Sequence, residues 1–462
     1  MITLTPIDLP DIGMPSILPA IAPQEYENRL ATAVDRMKER RLDALLVYGD
    51  REHAANMAFV TGLDPRFEEA LLLVDHAGER LLIVGNEGMG YIPPRWPTDR
   101  VQLMGDLSLL GQPRDHAPSL RDVLSEFGVA RGTKVGCVGW KYFGPGSVEG
   151  GPMAIEIPAY LVDLLRDMTS DRACVTNATD LFMDAQSGLR ITNSVDQIAQ
   201  FEYAACRVSA SVWSVIGNLA VGISERELSR YLIADGLPLS CHPMLSFGEK
   251  VRQGLSSPSD NVARLGDAFT VAFGVWGALT CRAGAIARSA DDLPADTGEF
   301  FVRMASNYFD VVACWYENVG VGARGGDVFD AVEARRDASL FDFAVNPGHS
   351  IGMDEWIHSP FHAGSDVRLT SGMALQMDII PVSKGPFWYV NAEDGIALAD
   401  ASLRRQLADK HPQAWARITA RQKFMRDTLN INIDDSVLPL SNYPAVLAPF
   451  LLKPNLVFAK TA

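Results

Sequence analysis

The chain has 462 residues, 47% hydrophobic and 21% charged, a balance that fits a folded globular protein too long for one ordinary core. Its formal charge of −16, without any cluster of Lys and Arg, excludes the counterion-releasing surface that nucleic-acid binding needs. The six cysteines (Cys137, Cys174, Cys206, Cys241, Cys281 and Cys314) are scattered with no CxxC pair, and no run reaches the roughly 18 apolar residues of a membrane span. The segment Met1-Ile2-Thr3-Leu4-Thr5-Pro6 has neither a basic start nor an unbroken apolar run. A soluble, cytoplasmic protein with reduced thiols and no membrane partner is the expectation.

Residues 1–25 are Pro-rich and read as an irregular arm. An amphipathic helix is predicted over 26–41, followed by strands at 44–48, 70–74, 81–84 and 135–138. Strands alternating with helices imply an open-sheet α/β domain over 26–182. A restart follows at Gly188-Leu189-Arg190-Ile191-Thr192-Asn193-Ser194, where Ser194 and Gln197 form a capping box. The apolar face of Ile198, Phe201, Ala205, Val208 and Val212 carries that helix to about Leu219, and Ser224 with Glu227 caps another. Beyond Gly266-Asp267 the stretch 269–273 is strand-like, 297–340 mostly helical, and 345–394 supplies more strands. Residues 401–462 read as a helical and irregular extension.

Chemistry concentrates between Val345 and Asp394. His349 sits in the glycine-flanked run Gly348-His349-Ser350-Ile351-Gly352, Asp354 and Glu355 follow, Asp378 interrupts the apolar run 373–381, and Glu393-Asp394 precede Gly395-Ile396-Ala397-Leu398. A charge inside an apolar strand is costly unless it is paired or used. Asp354 and Glu355 read equally as a solvated turn or as site residues, and Trp276 as facing a pocket or the core. Arg282 reads equally as a fork for a substrate carboxylate or as a structural partner of Asp378. His53, His76, His116, His362 and His411 carry no supporting motif and are expected at the surface.

The order of these motifs resembles the pita-bread family of creatinase, aminopeptidase P, prolidase and methionine aminopeptidase. It comprises Leu189-Arg190 with its capped helix, Gly222-Ile223-Ser224-Glu225, Gly266-Asp267, Gly348-His349-Ser350-Ile351-Gly352, Ser371-Gly372-Met373 and Glu393-Asp394. The stretch 27–85, with Asn56-Met57-Ala58-Phe59-Val60-Thr61-Gly62, resembles that family's amino-terminal domain. The implied fold class is α/β (α+β), a creatinase/prolidase-like domain over 26–182 followed by a pita-bread domain over 183–400. Peptidases of the family hold two metal ions with two aspartates, a histidine and two glutamates. The histidine corresponds to His349, the first glutamate to Asp378, and the last to Glu393 or its neighbour Asp394. The two aspartates, eleven residues apart, are expected at Ala272 and Ala283, with Cys281 and Arg282 nearby. The family's loop histidine is missing from 254–260, leaving His242 as the nearest substitute, and the later family histidine falls on Trp356 or, two further on, His358.

The resemblance with those ligands lost implies a metal-independent, creatinase-like hydrolase of a C–N bond in a small zwitterionic amide or amidine. In that expectation His349 transfers the proton with help from His242, Asp378 and Glu393 hold a cationic group, and Arg282 an anionic one. Asp394, Trp276, Asp354, Glu355 and His358 complete the candidate site. No cofactor is expected, a single divalent ion at His349, Asp378 and Glu393 being the secondary reading. The alternatives are a lyase or single-metal peptidase of the same fold, or a non-catalytic binding protein. The resemblance further implies a homodimer acting on a small-molecule substrate.

Overall fold

The computed structural model describes residues 1–114, 118–144, 146–386 and 389–461; His116 lies outside them. The chain divides into two compact units, one of Ile21–Ile191 and one of Met1–Ala20 together with Thr192–Ala462.

In the first unit a six-stranded sheet has the order Val101–Leu103, Arg80–Val84, Ala70–Asp75, Ala44–Gly49, Val135–Val138, Val175–Asn177. The pairings of Ala44–Gly49 with Ala70–Asp75 and of Ala70–Asp75 with Arg80–Val84 are antiparallel and the other three parallel. Ala44–Gly49 is buried throughout, as a central strand covered on both faces must be. Alternate residues Leu46 and Tyr48, Leu71 and Leu73 pack in one core with Leu124, Leu161 and Leu165 from the helices Leu120–Glu126 and Ala159–Thr169. The predicted first helix begins slightly earlier, at Pro23, because a proline at the first helical turn forfeits no hydrogen bond.

The second unit is built on a seven-stranded antiparallel sheet. Six strands run in the order His349–Ser350, Ala374–Met377, Asn391–Leu398, Ala278–Ala285, Ala268–Val275, Met244–Phe247, and Val437–Pro439 adds to Asn391–Leu398. Helices Val195–Gly217 and Gly298–Asn318 bury Ile198, Phe201 and Val212, and Phe301, Tyr308 and Trp315. Ser194 caps the first of them by accepting from the Gln197 N–H, as its sequence implies. The helix after Ser224 is a single turn, Glu225–Leu228. Residues 319–324 separate the two helices Gly298–Asn318 and Gly325–Arg335, and Pro412 starts a new helix, Pro412–Asp427, after Ala401–Lys410.

Ile2–Pro6 pairs antiparallel with Leu456–Lys460, and Val437–Pro439 is a strand of the main sheet.

Candidate active site

The strands Ala268–Val275 and Ala278–Ala285 form a hairpin whose turn glycine, Gly277, has φ +91°, and a Cβ there would lie 2.1 Å from the Phe201 ring. Only glycine meets both demands. The turn sets the register, placing Ala272 opposite Cys281 and Thr270 opposite Ala283. Side chains alternate across a strand, so neighbours part company: Cys281 faces a cavity of about 420 Å³ and Arg282 the other side of the sheet. On the adjoining strand Asn391 and Glu393 face the cavity, whereas Asp394 meets Arg282.

Two further elements bring in the imidazole and the second acid. Gly348, at φ +108°, lies where a Cβ would come within 2.8 Å of the Gln376 carbonyl, and the Trp315 indole N–H donates to the Pro347 carbonyl at 2.8 Å. His349 is thereby pinned against Gln376 on the next strand. The Tyr308 hydroxyl donates to the Ile379 carbonyl at 2.8 Å and accepts from the Ala392 N–H at 3.2 Å, tying together the segments that carry Asp378 and Glu393.

His349 is fully buried. Its Nε2 lies 3.0 Å from Glu355 Oε1, within ion-pair range but off the line of a hydrogen bond, and 3.9 Å from both Asp378 Oδ2 and Glu393 Oε1. Trp356 stacks on the imidazole, with centroids 4.1 Å apart and planes at 19°. The three acids and Trp356 line the cavity, while His349 lies behind them and contributes no wall. Gln376 donates to Glu393 Oε1 at 3.1 Å and to the Leu279 carbonyl at 2.6 Å.

Burial governs the protonation of this group, since a low-dielectric site disfavours charge. It pushes the Asp378 carboxyl up to about 7, with His349 pulling down and Glu355 pushing further up. Glu393 is driven well above the usual carboxylate range by burial and by the charges of Asp378 and Glu355. Burial alone would lower His349, but Glu355 and then Asp378 outweigh it, so the imidazole is raised. Burial, Glu393 and Asp378 together push the Cys281 thiol well up.

The candidates from the sequence divide. His349, Glu355, Asp378 and Glu393 come together; His242 stands exposed at the cavity, its Nε2 2.8 Å from the Leu255 carbonyl. Arg282 does not reach the cavity or Asp378: it bonds both Asp394 oxygens, at 3.0 and 2.9 Å, and the carbonyls of Cys281, Glu393 and Tyr443. Asp394 is likewise structural, because one residue of offset on a strand reverses the face. Trp276 is in the hairpin turn, its N–H bonded to the Pro238 carbonyl. Neither Asp354, whose carbonyl accepts from Gly352, nor His358, which bridges Ser350, lines the cavity. Two histidines expected at the surface are partly buried against acids, His53 on Asp50 and His411 on Asp196.

Thr270 and Cys281, eleven residues apart, both line the cavity with Oγ1 and Sγ 3.9 Å apart; Ala272 lines it too, opposite Cys281, whereas Ala283 does not. The hairpin register thus keeps Ala272 at the cavity and puts side chains with donor atoms at Thr270 and Cys281. Trp356, Tyr389 and Asn391 were also missed as wall residues; the alternation of Asn391 with Glu393 was the available signal. A hydroxyl and a neutral thiol in place of two carboxylates do not fit a pair of divalent ions. One ion is a different matter, because donor atoms of His349, Asp378 and Glu393 lie within 4.8 Å of one another, and such a set could hold a divalent metal.

No protein-family model and no curated protein sequence matches the chain. Solved structures do. A prolidase from Thermococcus sibiricus is similar over 82% of this chain and 95% of its own, with TM-score 0.63 and 16% identity. A prolidase from Pyrococcus horikoshii OT3 is similar over 80% and 95%, with TM-score 0.61 and 14% identity. A putative aminopeptidase P from Bacillus anthracis covers 87% and 99%, with TM-score 0.58 and 10% identity. The chain has the two-domain pita-bread fold of these peptidases, as its motif order implies. No helix among the described residues is long and apolar enough to cross a membrane.

Proposed function

We propose that this protein hydrolyses a C–N bond of a small cationic amidine or amide, using carboxyl groups and an imidazole rather than a pair of metal ions. The observation that carries the reading is the cluster of buried Asp378 and Glu393 with partly exposed Glu355 around His349 Nε2, facing Thr270 and Cys281 where paired aspartates would be needed. The prolidase and aminopeptidase P likeness supports C–N hydrolysis through fold alone.

Burial lifts the Asp378 carboxyl toward neutral pH against the pull of His349. A group so poised can take a proton from an attacking water and return it to the leaving nitrogen, a role typically worth roughly 10²–10⁴-fold. For an amidinium, a C–O bond forms, the C–N bond breaks, and an amide and an ammonium ion leave. Glu355 offsets the substrate's charge, and a bound cation opposes the burial that keeps Glu393 protonated and draws it toward its charged form. His349, behind the wall, holds the three acids together and balances their charge, so it is a positioning residue, in place of the direct proton carrier expected from sequence. Arg282, turned away, leaves no fork for a substrate carboxylate, which narrows the zwitterion to a cation. A homodimer is proposed on the two-domain build alone and is tested by molar mass in solution.

Amine release from a panel of N-substituted amidines and cationic amides, assayed on chelator-treated protein, tests the reading. Turnover should fall at least about 100-fold in Asp378→Asn. Parent-level turnover in that variant, or no turnover without added metal, would overturn it.

A further inference from the structure

Two buried acceptors at the cavity are without a partner. Asp378 is 4% exposed and Asn391 2%, yet Asp378 Oδ1 and Asn391 Oδ1 make no hydrogen bond. The Asn391 side chain is hydrogen-bonded to Tyr389, which leaves its carbonyl oxygen unmatched. A buried acceptor without a donor costs about 1–3 kcal/mol, so native sites rarely leave two in one cavity unless something else supplies N–H groups.

Charge points the same way. Three carboxyl groups line the cavity, and no Lys or Arg does among the described residues. The remaining wall is largely apolar, with Leu255, Leu279 and Ile380 beside the rings of Trp356 and Tyr389. Trp356 is 37% exposed although it stacks on His349, so one ring face backs the imidazole while other indole surface stays open. An indole attracts a planar cation by stacking and by its quadrupole.

We infer that the cavity selects a planar organic cation rich in N–H groups, an amidinium or guanidinium, carried on an uncharged apolar body. This deepens, and rests on, the reading of the cavity as a C–N hydrolase site. The fork of N–H donors meets Asp378 Oδ1 and Asn391 Oδ1, the charge lies by Glu355 and by Glu393, which the cation draws toward its ionised form, and the apolar body lies along Leu255 and Ile380. A quaternary ammonium carries the charge but no N–H, and leaves both acceptors unmatched. A dipeptide brings a carboxylate toward three acids with no cation to receive it.

Calorimetric titration of the full chain with benzamidine, phenylguanidine, benzyltrimethylammonium, benzamide and Ala-Pro dipeptide separates these. The two N–H-bearing cations should bind at least about tenfold more tightly than the quaternary ammonium and the neutral amide, since each charge-assisted hydrogen bond is worth about that much. Asn391→Ala should weaken benzamidine about five- to tenfold and leave benzyltrimethylammonium unchanged, its melting curve confirming that it folds. Equal or tighter binding of the quaternary ammonium or of the dipeptide would overturn the inference, on the parent protein alone if the variant does not fold. Benzamidine binding without turnover of any panel compound would sink the hydrolase reading and leave the selectivity standing. Turnover of a zwitterion by a protein that ignores benzamidine would do the reverse.

Discussion

The Arg282–Asp394 pair is where sequence and structure part most sharply, and its removal has a calculable consequence. The Arg282 side chain is 3% exposed and Asp394 fully buried. One nitrogen of the guanidinium bonds both carboxylate oxygens and the Tyr443 carbonyl, the other the carbonyls of Cys281 and Glu393, and Asp394 also accepts from the Ala445 N–H. The pair therefore clamps the backbone that presents Glu393 to the cavity. Burial pushes the Asp394 carboxyl up by more than Arg282 pulls it down, the mark of a pair whose desolvation roughly cancels its attraction. Asp394→Asn leaves a buried guanidinium uncompensated and should cost about 3–5 kcal/mol. At about 2–4 °C per kcal/mol for a unit of this size, the melting midpoint should fall by roughly 6–20 °C. Replacing both residues by apolar ones, Arg282→Met with Asp394→Leu, should recover most of that loss, because no lone charge remains. Scanning calorimetry of the parent, Asp394→Asn, Arg282→Met and the double variant, each with a benzamidine titration below its midpoint, provides the measurement. If Arg282→Met instead melted with the parent and lost ligand affinity tenfold, the clamp would be wrong and Arg282 would belong to the cavity after all.

Chelator treatment should leave amine release unchanged, whereas Thr270→Asp with Cys281→Asp should add bound Mn²⁺ or Co²⁺ by elemental analysis, because the cavity would then regain two carboxylates facing His349. The reasoning fails if the parent already holds two ions per chain. Trp356→Ala removes the ring stacked on His349 and should weaken phenylguanidine binding by about three- to thirtyfold, read by titration, through the lost stacking. In the first unit, burial would raise Asp50, but hydrogen bonds from His53 and the backbone bring it down to about 2, while that same bond raises His53. The Asp50 contribution is complete above its ordinary value near 3.8 and lost as pH falls through about 2. The His53 contribution is complete below its ordinary 6.5 and lost as pH rises through its higher folded value. Asp50→Asn should therefore lower the urea midpoint most at pH 5 and less at pH 9; an equal loss at both would exclude the ion pair.

Much of this architecture was legible in the chain itself. Periodicity and caps located the strand Ala44–Gly49 and the helix behind Ser194, because local apolar spacing and a single side-chain hydrogen bond decide such elements. Glycine at 348 and acids inside apolar runs marked His349, Asp378 and Glu393, since an unpaired buried charge is rare without a use. Tertiary structure alone decided which neighbour of each pair faces the cavity. Cys281 against Arg282 turns on hairpin register, which Gly277 and its approach to Phe201 set, and Glu393 against Asp394 on the pairing of their strand with Ala278–Ala285. A strand has a side-chain period of two, so an offset of one residue exchanges wall for core, and no composition or motif spacing carries that parity until the turn is made.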